Sequence, residues 1–229
     1  MDEQELLERY EALGKEDDFV AAKRLFEREL VDSADARLHN DYGYLLECHA
    51  RNELRRALGH YEEAIRLDPG YDKPHFQLIS ARAGLQEPEL AVALYEQRLA
   101  SAPDEPRGHR FLASAYLRAH AYEQALAVAE AGLGLAPDDA RLLALRGEAR
   151  AGLGDPERAL ADWGRAVEVD RQDIGALYSS AFLLEREGRL EEALAMWRTI
   201  IAWHGSRGHT LQTEWPVREA ERLQAALEA

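Results

Sequence analysis

At 229 residues, 46% of them apolar and 31% charged, the chain is long enough for one or two domains and apolar enough to bury a core, which excludes wholesale disorder. Its net charge of −15, from 43 Asp and Glu against 28 Lys and Arg, repels phosphate backbones and anionic headgroups and sets nucleic acid and membranes aside as partners. One cysteine, Cys48, excludes an internal disulfide, and no run approaches the roughly 20 apolar residues that cross a bilayer.

The amino terminus, MDEQELLERYE, is acidic where a signal peptide is basic and then apolar, so a cytoplasmic location is expected. The dominant feature downstream is a period. AGLQEPELA at Ala83 returns as AGLGDPERA at Ala151, 68 residues on, and Pro69, Pro103 and Pro137 are spaced by half that distance, 34. Ala22, Ala57, Ala91, Ala125, Ala159 and Ala193 form a column, spaced first by 35 and then by 34, and Phe26, Tyr61, Tyr95, Ala129, Trp163 and Trp197 stand four residues after each. Small and apolar residues recur at steps of three and four within each unit, which predicts two helices per unit and no strand.

Taken along the chain, the first unit, residues 3–35, centres on Leu6, Leu13, Ala22 and Phe26. The second, 36–71, carries His39, Tyr42, Gly43 and Leu46, then Ala57, Tyr61 and Pro69, with two extra residues that predict a lengthened turn near His49 to Asn52. The third, 72–105, has Ile79 where the other units have small residues. The fourth, 106–139, places Leu112, Ala113 and Tyr116 on one helix and predicts another from Tyr122 to Leu135. The fifth, 140–173, and the sixth, 174–207, are punctuated by Gly154, Asp155 and Pro156 and by Gly188. A last helix, about 213–229, opens on Thr213 and Pro216 and bears the stripe Val217, Ala220, Leu223, Ala226 and Leu227, as a cap over the final unit requires.

At these spacings the chain resembles the tetratricopeptide repeat, a 34-residue helix-turn-helix with the signature W-x2-L-G-x2-Y, A-x3-F and P. His109, Leu112, Ala113, Tyr116, Ala125, Ala129 and Pro137 occupy those positions in the fourth unit, whereas Arg171 and Gly205 replace the proline in the fifth and sixth. The resemblance implies an all-α, right-handed superhelical solenoid of about six units plus a capping helix. It further implies a concave groove, lined by the first helix of each unit, that takes an extended segment of another protein.

Helical geometry picks out the lining. In the fourth unit Arg107, Arg110, Ser114 and Arg118 share a face distinct from the packing stripe of His109, Leu112, Ala113 and Tyr116. Equivalent positions include Arg37, Asn40, Tyr44, Lys73, Phe76, Arg141, Glu148, Tyr178, Phe182 and Arg186. Arg37, Lys73, Arg107 and Arg141 recur at helix amino termini, where the helix dipole disfavours a cation, so helix stability does not explain them. Phe111 and Phe182 are expected to pack between units; Tyr44 and Phe76 are the better aromatic candidates.

Such a lining suits a carboxylate-bearing or otherwise acidic peptide. Only Lys15, Lys23 and Lys73 are lysine, so an arginine-rich composition is the competing account of the row. No phosphate-cradling, metalloprotease or nucleophile-elbow motif is present. Cys48 and His49 are neighbours on a helix and point about 100° apart, and His204 with His209 make a poor metal site without a carboxylate or thiol. The reading is a non-catalytic scaffold or assembly chaperone without cofactor. An enzyme's accessory or regulatory subunit is the alternative, an RNA-binding repeat a weaker one, and self-association through the first or last unit stays open.

Overall fold

A computed structural model of the chain describes residues 16–29, 36–171, 174–207 and 213–228. Among them are eleven helices and no strand: α1 (Glu16–Glu29), α2 (Ala36–Leu67), α3 (Asp72–Gly84), α4 (Pro88–Ser101), α5 (Pro106–Arg118), α6 (Tyr122–Leu135), α7 (Ala140–Gly152), α8 (Pro156–Val169), α9 (Gly175–Arg186), α10 (Leu190–Ser206) and α11 (Glu214–Glu228). The chain forms two compact units, residues 1–74 and 75–229. No described helix is long and apolar enough to cross a membrane.

In the first unit α1 lies against α2. Phe19 stacks on His49 with ring centroids 3.6 Å apart, Phe26 stacks on Tyr42 at 5.5 Å, and Tyr42 Oη donates to Glu27 Oε1 at 3.2 Å. Leu6 and Leu13 lie outside the described residues, and with them the start of the expected first repeat. The turn expected near His49 to Asn52 is not there: α2 runs unbroken for 32 residues. The stretch CHARNELRR contains neither glycine nor proline and is rich in strong helix formers, and Glu47–Arg51 and Glu53–Arg56 pairs at 3.2 and 3.1 Å brace it. Nothing in it stops a helix.

From His75 onward the helices form hairpins, α3 with α4, α5 with α6, α7 with α8 and α9 with α10, and each second helix from α4 on packs on the first helix of the next hairpin, with α11 following α10. Pro88, Pro106 and Pro156 open second and first helices where their missing N–H costs nothing. The four intra-hairpin turns share one geometry. Gln86, His120, Gly154 and Gly188, 34 residues apart, all take a left-handed backbone, with φ of 62°, 57°, 80° and 74°. The next residue's N–H then reaches back six-to-one: Glu87 to Arg82 O, Ala121 to Tyr116 O and Asp155 to Arg150 O at 2.9 Å, and Arg189 to Leu184 O at 2.8 Å.

The two sequence columns are the core of these hairpins. Ala91, Ala125, Ala159 and Ala193 are buried where helices cross, and Tyr95, Ala129, Trp163 and Trp197 are buried one turn later. Close approach is sharpest at Gly147, where a Cβ would stand 2.6 Å from the Trp163 indole nitrogen. That nitrogen instead donates to Ala144 O at 3.0 Å. In α11 the expected stripe is buried at Ala220 and Leu223, which pack into the cluster of α9 and α10, but Ala226 and Leu227 are exposed.

Candidate functional site

Along the first helices of residues 75–229 the positions expected to line a groove fall into two groups. The first is engaged by the protein itself. Phe76 is half-buried and meets Phe111 edge-on at 5.2 Å, and Phe111, buried between units as expected, stacks on His75 at 4.2 Å. The Arg107 guanidinium sits 5.8 Å from the Phe111 ring centre and 3.6 Å from the Glu105 carboxylate. Arg141 reaches across α5 to lie 4.6 Å over the Phe76 ring. A cation on an aromatic face is worth about 0.5–2 kcal/mol depending on its exposure, so both arginines help close this end of the face.

Arg110 has another task. Its guanidinium binds the buried Asp139 carboxylate through Nε at 2.7 Å and Nη2 at 2.6 Å, and Asp139 also caps α7 by accepting the Leu142 N–H at 3.0 Å. One carboxylate thus ties α5 to the start of α7. Arg146 and Arg150 of α7 hold the buried Asp162 of α8 in the same way, at 2.5 to 2.9 Å, which raises the Arg146 pKa through its bond to Asp162. Ser114 is buried.

The second group remains open. Arg118 and Arg186 are exposed in the last turns of α5 and α9, where the helix dipole favours a cation, and Glu148 is exposed on α7. Arg186 donates weakly to Ala151 O at 3.5 Å and to Glu187 Oε1 at 3.3 Å. Phe182, expected to pack away, is half exposed, because the ring stands on its edge against Trp197 at 5.4 Å and 86° rather than sinking between helices. Tyr178 stacks on Trp215 of α11 at 5.9 Å and 12°, and its hydroxyl lies 2.9 Å from His204 Nε2. Partial burial raises the Tyr178 phenol's pKa.

Trp215 is the residue that sequence reasoning missed. It precedes Pro216 and lies off the cap's apolar stripe, so only its position as an aromatic in the first turn of a capping helix signalled it. Of the other candidates, Arg37, Asn40 and Tyr44 fall in α2 with side chains outside the described residues, and Lys73 is exposed in the first turn of α3. His209 also lies outside them, and no described group of His, Cys, Asp and Glu is arranged to hold a metal.

Charge separates by helix. α5 carries three arginines and no acid, and α7 three arginines against Glu148; α6 carries Glu123 and Glu130 and no base. The first helices of the middle hairpins are therefore basic in a chain of net charge −15.

Residues 49–114 match the tetratricopeptide repeat family model. No curated protein matches the sequence. Among solved structures, the chain is similar to TTC0263, a thermophilic TPR protein of Thermus thermophilus, at 22% identity and a TM-score of 0.59 over 80% of this chain and 95% of that one. It is similar to yeast Tom70 at 15% identity and a TM-score of 0.56 over 91% of this chain and 44% of that one. MamA from Desulfovibrio magneticus RS-1 aligns at 24% identity and a TM-score of 0.51 over 76% of this chain and 97% of that one. At these identities the likenesses bear on the fold.

Proposed function

Because this chain carries tetratricopeptide repeats, with the family's sequence pattern over residues 49–114 and its fold beyond them, we propose that it is a non-catalytic interaction module that holds an extended, acidic segment of a partner protein along its first helices. The observation that carries this reading is the charge separation in the middle hairpins: α5 and α7 carry three arginines each against the single acid Glu148, and α6 between them carries two glutamates and no base, on a molecule whose total charge is strongly negative. Folded hairpins are pre-organised, so ordering on this side of the complex costs little, and a local basic strip orients an acidic chain. A scaffold or assembly chaperone fits this role, and a cytoplasmic setting fits the single cysteine.

Reversing Arg107, Arg110 and Arg118 together would also break the buried pair with Asp139, so the clean test avoids Arg110. The double variant Arg118→Glu, Arg186→Glu should keep the helical circular dichroism of the parent and lose the partner that the parent captures from a native lysate. Undiminished capture by the double variant refutes the groove.

A further inference from the structure

We infer that Tyr178, Phe182 and Trp215 form an anchor site for a phenyl-type side chain of the acidic partner segment, rimmed by Arg186 and Arg218. This rests on the groove reading above and adds what the partner must carry and where it binds. The three rings form a shelf. Trp215 lies between the other two, 5.9 Å from Tyr178 and 5.7 Å from Phe182, at tilts of 12° and 31°. All three stand nearly perpendicular to Trp197, at 71°, 86° and 80°, with centroids 5.1 to 5.8 Å away. Trp197 is the floor, fully buried and fixed by donating Nε1 to Glu185 Oε1 at 2.6 Å.

The upper rings are not covered: Phe182 is 50% exposed and Trp215 40%. Adjacent large apolar groups left open on a rigid base are the usual form of a binding hot spot, and aromatic anchors dominate such spots. The polar rim selects the partner's charge. Arg186 follows Phe182 by four residues and Arg218 follows Trp215 by three, so each shares a helix face with its ring, and both are exposed. The acids nearby are committed or turned aside. Glu185 binds Trp197 and Arg222, and Glu219, four residues after Trp215 and so on its face, pairs with Arg222 at 2.8 Å. Glu187 makes an exposed and readily exchanged pair with Arg186, and Glu214 is adjacent to Trp215 and so points off its face. Charge complementarity and the open rings together specify an acidic segment with one aromatic residue.

The test uses the full chain and synthetic peptides of Asp, Glu and Gly with a central phenylalanine, a central alanine, or the phenylalanine among lysines. Fluorescence anisotropy should show the acidic phenylalanine peptide binding at least about tenfold tighter than the acidic alanine peptide, and the lysine peptide not binding. Phe182→Ala should erase that preference and Phe182→Tyr restore it, which separates an anchor from a packing residue. Equal binding of the two acidic peptides, both weakened by Arg118→Glu with Arg186→Glu, overturns the anchor and leaves the groove standing. Indifference of all binding to that charge reversal overturns the groove as well. A preference that survives Phe182→Ala, an absence of binding, or concentration-dependent self-association in sedimentation that Phe182→Ala abolishes each overturns the anchor, the last by assigning the shelf to a second copy.

Discussion

Gln86 and His120 hold a left-handed backbone that Gly154 and Gly188 hold in the later hairpins. A side chain there brings Cβ against its own carbonyl, at a cost of about 1–2 kcal/mol that glycine escapes, while glycine's freer unfolded chain takes part of that back. Replacing Gln86 or His120 by glycine should therefore stabilise the protein by about 0.5–1 kcal/mol, and Gly154→Ala should destabilise it by a similar amount. Urea unfolding at equilibrium measures all three, and a stabilising Gly154→Ala would contradict the shared turn geometry. The column was visible in the sequence only at its two glycines, since nothing about a glutamine or a histidine announces positive φ.

At the scale of helices, the buried Ala and aromatic columns were legible because they recur every 34 residues in register. The continuous α2 was not: the repeat spacing called for a turn, but local propensity, with no glycine or proline between Gly43 and Gly59, favoured an unbroken helix. The candidate positions were legible as one helix face and illegible as a set of partners. Arg110 and Asp139 are 29 residues apart and meet only through packing of α5 on α7, and Trp215 reaches Tyr178 only through the seating of α11. Asp139→Ala should remove a helix cap and the buried ion pair with Arg110 together, costing about 2–4 kcal/mol, whereas Asp138→Ala, which removes only an exposed pair with Arg165, should cost under about 1 kcal/mol. Thermal denaturation of the two variants side by side checks the contrast.

Residues 75–229 are stabilised by neighbour-to-neighbour contacts, since each hydrophobic cluster spans one hairpin and the helices beside it. Damage should accordingly stay local. Trp197→Ala empties the centre of the cluster formed by α9, α10 and α11 and should cost about 3–5 kcal/mol there. Amide hydrogen exchange should then rise across Gly175–Glu228 while α5 and α6 keep their protection; a uniform rise would mean that these hairpins unfold as one block. The pairing of a sealed indole beneath an open one has an optical consequence. Trp197 emits from a dry surrounding and Trp215 from a half-wet one, so a guest settling on the upper ring should shift the blue-to-red balance of the native emission, and the protein would report its own occupancy without a dye.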